Sequence, residues 1–338
     1  MSIDSAKDET TLANSGLTGG DRRDRLSVRV FGDDEIQELH AGALWVLEHV
    51  GVLVDSTEAR RIFAAGGCDV DDESRMVKFP PYVVQEAIAS APRQVTFAGR
   101  DVDHDVVVGD GSMVFQNFGI APKIVDPETR VIRPSTKDDI ETCARVCDAL
   151  PEIGIFEMAL TAEDKPPATA NVHSVEAALL GGRKPVCAAT LTTAETEACI
   201  DLAAAVVGGR QKLSTRSLIY AGVCPLSPLR LTPDLTEPTI AMAEAGLIST
   251  FLSEVMSGAT APITVAGSIV VHAAEMLASV SLAQLVRRGT PVVVGGTSGP
   301  MDMRWGTASG GAPEFALCNA GLAQLARFWA LPSMLAGL

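Results

Sequence analysis

The residues best suited to chemistry lie between Gly258 and Glu314, where a glycine-rich loop and charged side chains follow a short apolar strand. The run PVVVGG, residues 291–296, is β-branched and apolar, which is typical of a strand buried on both faces of a parallel sheet. Beyond it come Thr297, Asp302, Arg304 and Trp305. In parallel α/β barrels, the segments after the carboxyl ends of the strands carry the chemistry. The pattern therefore predicts a ligand site just beyond Val294.

Other polar and aromatic side chains are expected to share that site. The segment FQNFG, 115–119, sets two amides between two aromatic rings, which suits a small polar or cationic molecule about as well as a structural turn. Aromatic faces attract quaternary ammonium ions through the ring quadrupole. Alternation puts Glu157 inside its strand, where it could equally be a buried structural acid. The predicted substrate-binding residues are Gln116, Asn117, Phe118, Glu157, His173, Tyr220, Thr297, Asp302, Arg304 and Trp305.

Histidine and acid spacings give little support for a metal site. His173 and Glu176 could bind a metal or a polar substrate, but the sequence offers no third ligand nearby. His272 and Glu275 repeat that spacing in the middle of a helix, and we interpret them as the polar edge of that helix. No GxGxxG, Walker or GxSxG pattern fits the chain. We therefore predict no metal and no nucleophilic serine, and assign no residue a catalytic role.

Composition narrows the classes of partner and compartment. The net charge of −15 argues against nucleic acid and anionic membrane surfaces as partners. The seven cysteines form no CxxC pair and are typical of small buried residues in a reducing cytoplasm. The most hydrophobic long run, 261–286, contains His272, Glu275 and Gln284, so we expect a buried helix rather than a membrane span.

Helix and strand signals divide the chain into three regions. Residues 1–27 are polar and acidic, and we expect a disordered tail. Residues 28–134 are predicted to form helices and β-hairpins, with the first helix capped by Asp33 or Asp34. In 135–338 helices and strands alternate, which predicts a parallel sheet with right-handed crossovers. Strands are predicted at 155–160, 186–191, 218–223, 247–252, 292–294 and 333–336. These six units fall short of eight, so the predicted fold is an α/β, TIM-like (β/α)8 barrel that is incomplete.

The ensemble resembles the trimethylamine methyltransferase family, a corrinoid-dependent group that includes non-pyrrolysine glycine-betaine-type members. The matching stretches include LHAGALWVLEHVGVLV (39–54), FQNFGIAPKIVDPETR (115–130), CPLSPL (224–229), MDMRWG (301–306) and GAPEFAL (311–317). The resemblance implies a TIM-like barrel that moves a methyl group from a tertiary or quaternary amine, trimethylamine or a betaine. The implied acceptor is a corrinoid (cobalamin) carried by a cognate partner protein, with no cofactor held tightly by this chain.

The family domain extends past Leu338, so we expect a fragment, or a reading frame ended at an amber codon. Its open edge should promote association, as a homo-oligomer or an aggregate. One alternative is a barrel lyase or aldolase, which needs a Schiff-base lysine or a metal triad at strand ends. The lysines of this region lie in loops or at helix ends, which disfavours it: Lys123, Lys137, Lys165, Lys184 and Lys212. The other alternative is a truncated, non-catalytic barrel that binds a ligand or a partner.

Overall fold

Helices and short strands alternate along the chain in this computed structural model, which describes residues 28–336. The α-helices are α1 (Asp33–Trp45), α2 (Thr57–Ala65), α3 (Pro81–Ser90), α4 (Lys137–Ala149), α5 (Ala170–Gly181), α6 (Thr193–Val207), α7 (Arg210–Leu213), α8 (Pro233–Ala245), α9 (Val265–Val286) and α10 (Pro313–Phe328). The first nine strands are β1 (Val52–Val54), β2 (Asp69–Asp71), β3 (Met76–Lys78), β4 (Val95–Phe97), β5 (Val106–Val108), β6 (Phe115–Gln116), β7 (Lys123–Val125), β8 (Ile132–Pro134) and β9 (Ile153–Ile155). The others are β10 (Val186–Ala188), β11 (Ile219–Val223), β12 (Arg230–Leu231), β13 (Ile248–Ser253), β14 (Met256–Ser257), β15 (Val292–Gly296), β16 (Gly299–Asp302), β17 (Thr307–Ala308) and β18 (Ser333–Leu335). The tail predicted at 1–27 lies outside the described residues.

Strands β10, β11, β13, β15 and β18 form one parallel sheet in that order. A parallel bridge between Phe156 and Val186 joins β10 to the parallel pair of β6 and β9. Parallel neighbours need crossover connections, and helices α5, α6, α8, α9 and α10 supply them. The parallel sheet predicted from the alternation is confirmed, and the fold class is α/β.

Helix α9 is the central helix behind this sheet. It contacts α1, α3, α8 and α10 as well as β13. Among the described residues it alone is long and apolar enough to cross a membrane, but 78% of its most hydrophobic window is buried inside the protein. The predicted buried helix is confirmed. The prediction for His272 and Glu275 is wrong, because they are 2% and 0% exposed rather than a polar edge.

The antiparallel hairpin of β4 and β5 covers one face of the sheet, which we call the inner face, at the amino ends of the strands. Phe97 forms a bridge with Ser217, which lies two residues before β11. The Phe97 ring meets the Tyr220 ring edge to face, with centroids 5.0 Å apart. Together they belong to a buried cluster that includes Ile155, Cys187, Ile248 and Val293. The hairpin therefore packs at the amino ends of the strands. The sequence predicts the site at the other end, beyond the carboxyl ends.

Several element boundaries differ from the prediction for local reasons. Helix α1 is capped by Gly32, whose N–H donates to Glu35 at 2.7 Å, and not by Asp33 or Asp34. The strand predicted at 155–160 ends at Ile155. Beyond it, a side chain instead of a neighbouring strand bonds the backbone of Glu157. The strand predicted at 186–191 ends at Ala188.

Candidate functional site

Glu157 follows the carboxyl end of β9 and remains partly exposed. The Tyr220 hydroxyl donates to its Oε2 at 2.8 Å, and the Cys187 thiol also hydrogen-bonds the carboxyl group. Desolvation raises the pKa of Glu157, and the hydrogen bonds from Cys187 and Tyr220 oppose that rise. The result is an acid whose ionisation depends on what else enters its surroundings.

Asn117 fixes the backbone that carries this acid. Its Nδ2 donates to the carbonyl oxygen of Glu157 at 2.8 Å, and its Oδ1 accepts the N–H of the same residue at 2.9 Å. The neighbouring Gln116 pairs with Ile155, and its Oε1 is buried without a hydrogen-bond partner among the described residues. Of the two amides predicted from the sequence, Asn117 bonds the backbone of the acid through both its nitrogen and its oxygen, and Gln116 lies beside Ile155 with a free acceptor among the described residues.

A second acid lies past the end of β13. The Thr297 hydroxyl, beyond β15, donates to Oε1 of Glu254 at 2.9 Å. Cys224, just beyond β11, is exposed to solvent. Even so, desolvation first, and then the charges of Glu254, Glu157 and Asp234, raise the pKa of its thiol to about 12. Glu157, Cys224 and Glu254 each follow the carboxyl end of a strand, and the charges of both acids act on Cys224, so we group these three residues and call them the mouth. The charged groups that act on Cys224 are all acids, so the mouth is electronegative.

Helix α9 holds the loops around the mouth from behind. His272 Nδ1 lies 2.8 Å from the hydroxyl of Ser298, in the loop after β15. Glu275 accepts hydrogen bonds from the hydroxyls of Ser227 and Ser253 and from the N–H of Leu229 at 2.9 Å. Desolvation lowers the pKa of His272 to about 3 and raises that of Glu275. The buried pair thus connects the ends of β11, β13 and β15.

The other predicted site residues make their contacts with residues other than Glu157. His173 contacts Glu176 and Lys137, which join the first turns of α5 and α4. Asp302 accepts the backbone N–H of Arg304 at 2.8 Å and so closes a turn. Phe118 and Trp305 are 77% and 78% exposed. The structure brings together Asn117, Glu157 and Tyr220, and separately Thr297 with Glu254. The substrate-binding role of all ten residues stays a prediction.

The sequence did not predict four residues: Cys224 and Glu254 of the mouth, and Cys187 and Gly222, which lie beside Glu157. Cys224 and Glu254 each directly follow a strand of the parallel sheet. Thr297 is predicted because it follows the end of a strand, and the same criterion applies to Cys224 and Glu254. Cys187 and Gly222 lie inside strands, and only the register of the sheet brings them to Glu157.

Comparison with known proteins identifies the family. The sequence profile described as "Trimethylamine methyltransferase (MTTB)" matches residues 6–338. The chain belongs to the trimethylamine methyltransferase family.

The relatives are longer than this chain. It is 38% identical over 307 residues to trimethylamine methyltransferase MttB of Desulfitobacterium hafniense, covering 91% of this chain and 62% of that protein. It is 32% identical over 328 residues to MttB of Methanosarcina thermophila, covering 96% and 68%. It is 29% identical over 309 residues to a glycine betaine methyltransferase of Desulfitobacterium hafniense, covering 91% and 64%. The chain thus spans about two thirds of the length of these relatives.

Solved structures share the fold. The crystal structure of the Methanosarcina barkeri monomethylamine methyltransferase (MtmB) aligns with a TM-score of 0.51 at 15% identity. The alignment covers 89% of this chain and 65% of that one. At this identity the likeness concerns the fold alone.

Proposed function

We propose that this chain belongs to a methyltransferase that moves a methyl group from a methylated amine cation to a corrinoid protein. The observation that supports this most directly is the carboxyl group of Glu157 in an electronegative mouth, in a chain of the trimethylamine methyltransferase family. A carboxylate within about 4–6 Å of a cation favours both charged forms. The mouth is therefore suited to an ammonium group.

We further propose that the parallel sheet is part of a (β/α)8 barrel, which the MtmB likeness supports. The region 135–338 would then belong to the barrel, and 28–134 would be its helical and hairpin attachment. In such barrels the site lies at the carboxyl ends of the strands. The mouth has that location relative to β9, β11 and β13. The acidic composition and the free thiols are consistent with a cytoplasmic protein.

The chain's own task in this proposal is to bind and orient the cation. Ionised Glu157 offers the counter-charge, with Tyr220 and Cys187 holding its carboxyl group. When bound, the corrinoid of the partner supplies the nucleophile that accepts the methyl group. The carbon–nitrogen bond of the substrate breaks and its electron pair stays on nitrogen, so the amine leaves with one methyl group fewer. Holding one N–CH3 bond toward the open side of the mouth is then the main catalytic contribution of this chain.

A partner surface is available around the mouth. Exposed apolar side chains follow the carboxyl ends of β6, β11, β14 and β16, namely Phe118, Leu226, Ile263, Met303 and Trp305. A Cβ built on Gly258 would lie 2.9 Å from Ile263 and 3.9 Å from Met303, so two of these residues share one patch. Exposed apolar patches rimmed by polar residues are typical of protein-binding surfaces. We propose that the corrinoid protein docks on this apolar rim.

The lyase alternative receives no support from the lysines. Lys184 is 8% exposed, and its Nζ donates to the carbonyl oxygens of Cys147 and Leu150, both at 2.6 Å. It lies before β10, at the amino end of the strand, and so away from the mouth. Lys137 forms an ion pair with Glu176.

The test is methyl transfer itself. The protein, together with its corrinoid protein held in the reduced Co(I) state, is mixed with trimethylamine, tetramethylammonium or glycine betaine, and methyl–cobalt formation is followed by absorbance. We expect transfer from at least one cation, and loss of transfer in Glu157→Gln. A fully reduced, anaerobic reaction without transfer from any of them, in a folded protein, would contradict the proposal and favour a non-catalytic binding protein.

A further inference from the structure

Gly222, in strand β11, lies among the side chains of Cys187 in β10, Thr250 in β13 and Glu157 after β9. A Cβ built on it would be 2.9 Å from Sγ of Cys187, 3.7 Å from Oε1 of Glu157 and 3.7 Å from Oγ1 of Thr250. Gly222 remains partly exposed, whereas Cys187 and Thr250 are fully buried. Because Gly222 has no side chain, its backbone stays partly exposed between these side chains, and we call this surface, defined by the four residues, the recess; it shares Glu157 with the mouth.

The hydrogen atoms of the surrounding donors are already used. The Tyr220 hydroxyl donates to Glu157 Oε2, and the Thr250 hydroxyl donates to the carbonyl oxygen of Ala221 at 3.0 Å. The Cys187 thiol donates to Glu157, and its sulfur accepts the backbone N–H of Gly222. The sulfur also accepts the backbone N–H of Met158, so the lone pairs that face the recess are those of Glu157 Oε1 and Thr250 Oγ1. A surface of acceptors bordered by a carboxylate has no donor for an anion, and a neutral alcohol can offer it only one hydroxyl hydrogen without a charge.

We propose that Gly222 is a specificity-determining residue and that the recess above it takes the methylated cationic nitrogen of the substrate. The inference rests on the proposed function and adds where the cation binds and what limits its size. The N-methyl groups of an ammonium ion carry its positive charge at their hydrogen atoms, so the acceptor atoms Glu157 Oε1 and Thr250 Oγ1 suit them. A methyl group at position 222 would fill the same space.

The experiment measures binding alone, without a corrinoid or a partner. Tetramethylammonium, protonated trimethylamine, glycine betaine and the neutral tert-butanol are titrated into the full chain by calorimetry. We expect the two cations without a carboxylate to bind, tert-butanol not to bind, and betaine to bind more weakly. Gly222→Ala should weaken tetramethylammonium binding about tenfold or more, because the added methyl group occupies the surface on which the cation is proposed to rest. Gly310→Ala is the matched control, because nothing lies within 4 Å of the built Cβ there.

A second variant keeps the test valid if Gly222→Ala disturbs folding through Cys187. In Gly222→Ala/Cys187→Ala the sulfur that the new methyl would contact at 2.9 Å is gone, while the methyl still occupies the recess. Cys187→Ala alone serves as the reference for the lost thiol. The inference is overturned if the double variant is folded and binds tetramethylammonium within twofold of Cys187→Ala. It is also overturned if the unaltered chain binds tert-butanol with the same affinity as the cation. Binding as expected without methyl transfer would contradict the proposed function alone. Transfer that is unaffected by Gly222→Ala would contradict the inference alone.

Discussion

The carboxyl group of Glu157 accepts a hydrogen bond of 2.8 Å from the hydroxyl of Tyr220, two strands away in the parallel sheet. Tyr220 is fully buried, and its ring rests edge-on against Phe97 of the hairpin below. The phenol is therefore held by packing and can hold the acid in turn. This contact connects the hydrophobic filling of the inner face to the polar mouth above it.

The raised pKa of Glu157 predicts a pH dependence for cation binding. A bound cation requires the ionised carboxylate, so affinity for the permanently charged tetramethylammonium should fall as the pH falls through the raised pKa, above the usual 4.5. Burial raises the pKa values of Cys187 and Tyr220 well above their ordinary values, so both stay neutral across this range. Calorimetric titrations from pH 5 to pH 8, in buffers of different ionisation enthalpy, should show this fall and a proton released on binding. Glu157→Gln should bind more weakly without that release, and a variant that still releases the proton would assign it to another group.

Replacing Asn117 should reduce the affinity for the cation in addition to the stability of the fold. Asn117→Ala removes two hydrogen bonds to the backbone of Glu157, which costs about 1–3 kcal/mol of unfolding free energy. We expect a loss of cation affinity in addition, since the carboxyl group is displaced. Asn171→Ala is the control, because Asn171 contacts only the side chain of Glu195 through its amide nitrogen. Equal affinities for the two variants, measured at matched stability, would mean that Asn117 does not position the acid.

Buried His272 should make the protein sensitive to acid. Its pKa is about 3 in the folded protein against 6.5 for the free side chain, so between these values the unfolded chain binds a proton that the folded chain does not. Stability is therefore lost as the pH falls below 6.5, by on the order of 4 kcal/mol at pH 3. Urea unfolding as a function of pH should give a shallower dependence for His272→Asn. Ser281→Ala, a buried non-titrating change on the same helix, should keep the slope of the unaltered protein. Parallel slopes for all three would show that His272 does not contribute.

Trp305 should act at the partner surface. It is 78% exposed on the apolar rim, so Trp305→Ala should reduce methyl transfer to the corrinoid protein while leaving tetramethylammonium binding unchanged. The hypothesis from the sequence that aromatic faces, including Trp305, bind the substrate cation predicts the reverse, a selective loss of substrate binding. Trp45→Ala, on helix α1 and 56% exposed, is the control for loss of a surface indole. Binding by calorimetry and transfer by absorbance separate the two hypotheses.

The sequence was informative where the pattern is local. Alternation of apolar helices and β-branched runs predicts the parallel sheet that the structure contains. The errors arise where tertiary contacts override the pattern. His272 and Glu275 look like a solvent-facing pair, but both are buried, and serine hydroxyls of two loops and of the end of β13 form hydrogen bonds with them. Gly222 could not be found, because its importance depends on which strands neighbour β11, and the strand order is not encoded in any one segment.

The most direct test is to locate a bound cation in a crystal of this chain. Tetramethylarsonium has the shape and charge of tetramethylammonium, and its arsenic atom gives an anomalous signal that marks its position. We predict one strong peak in the recess above Gly222, within about 4–6 Å of Glu157 Oε1, a range in which opposite charges stabilise one another. That peak should be absent in crystals of Gly222→Ala/Cys187→Ala. A strong peak elsewhere, for example among Phe118 and Trp305 on the rim, or no peak at saturating concentration, would contradict the account.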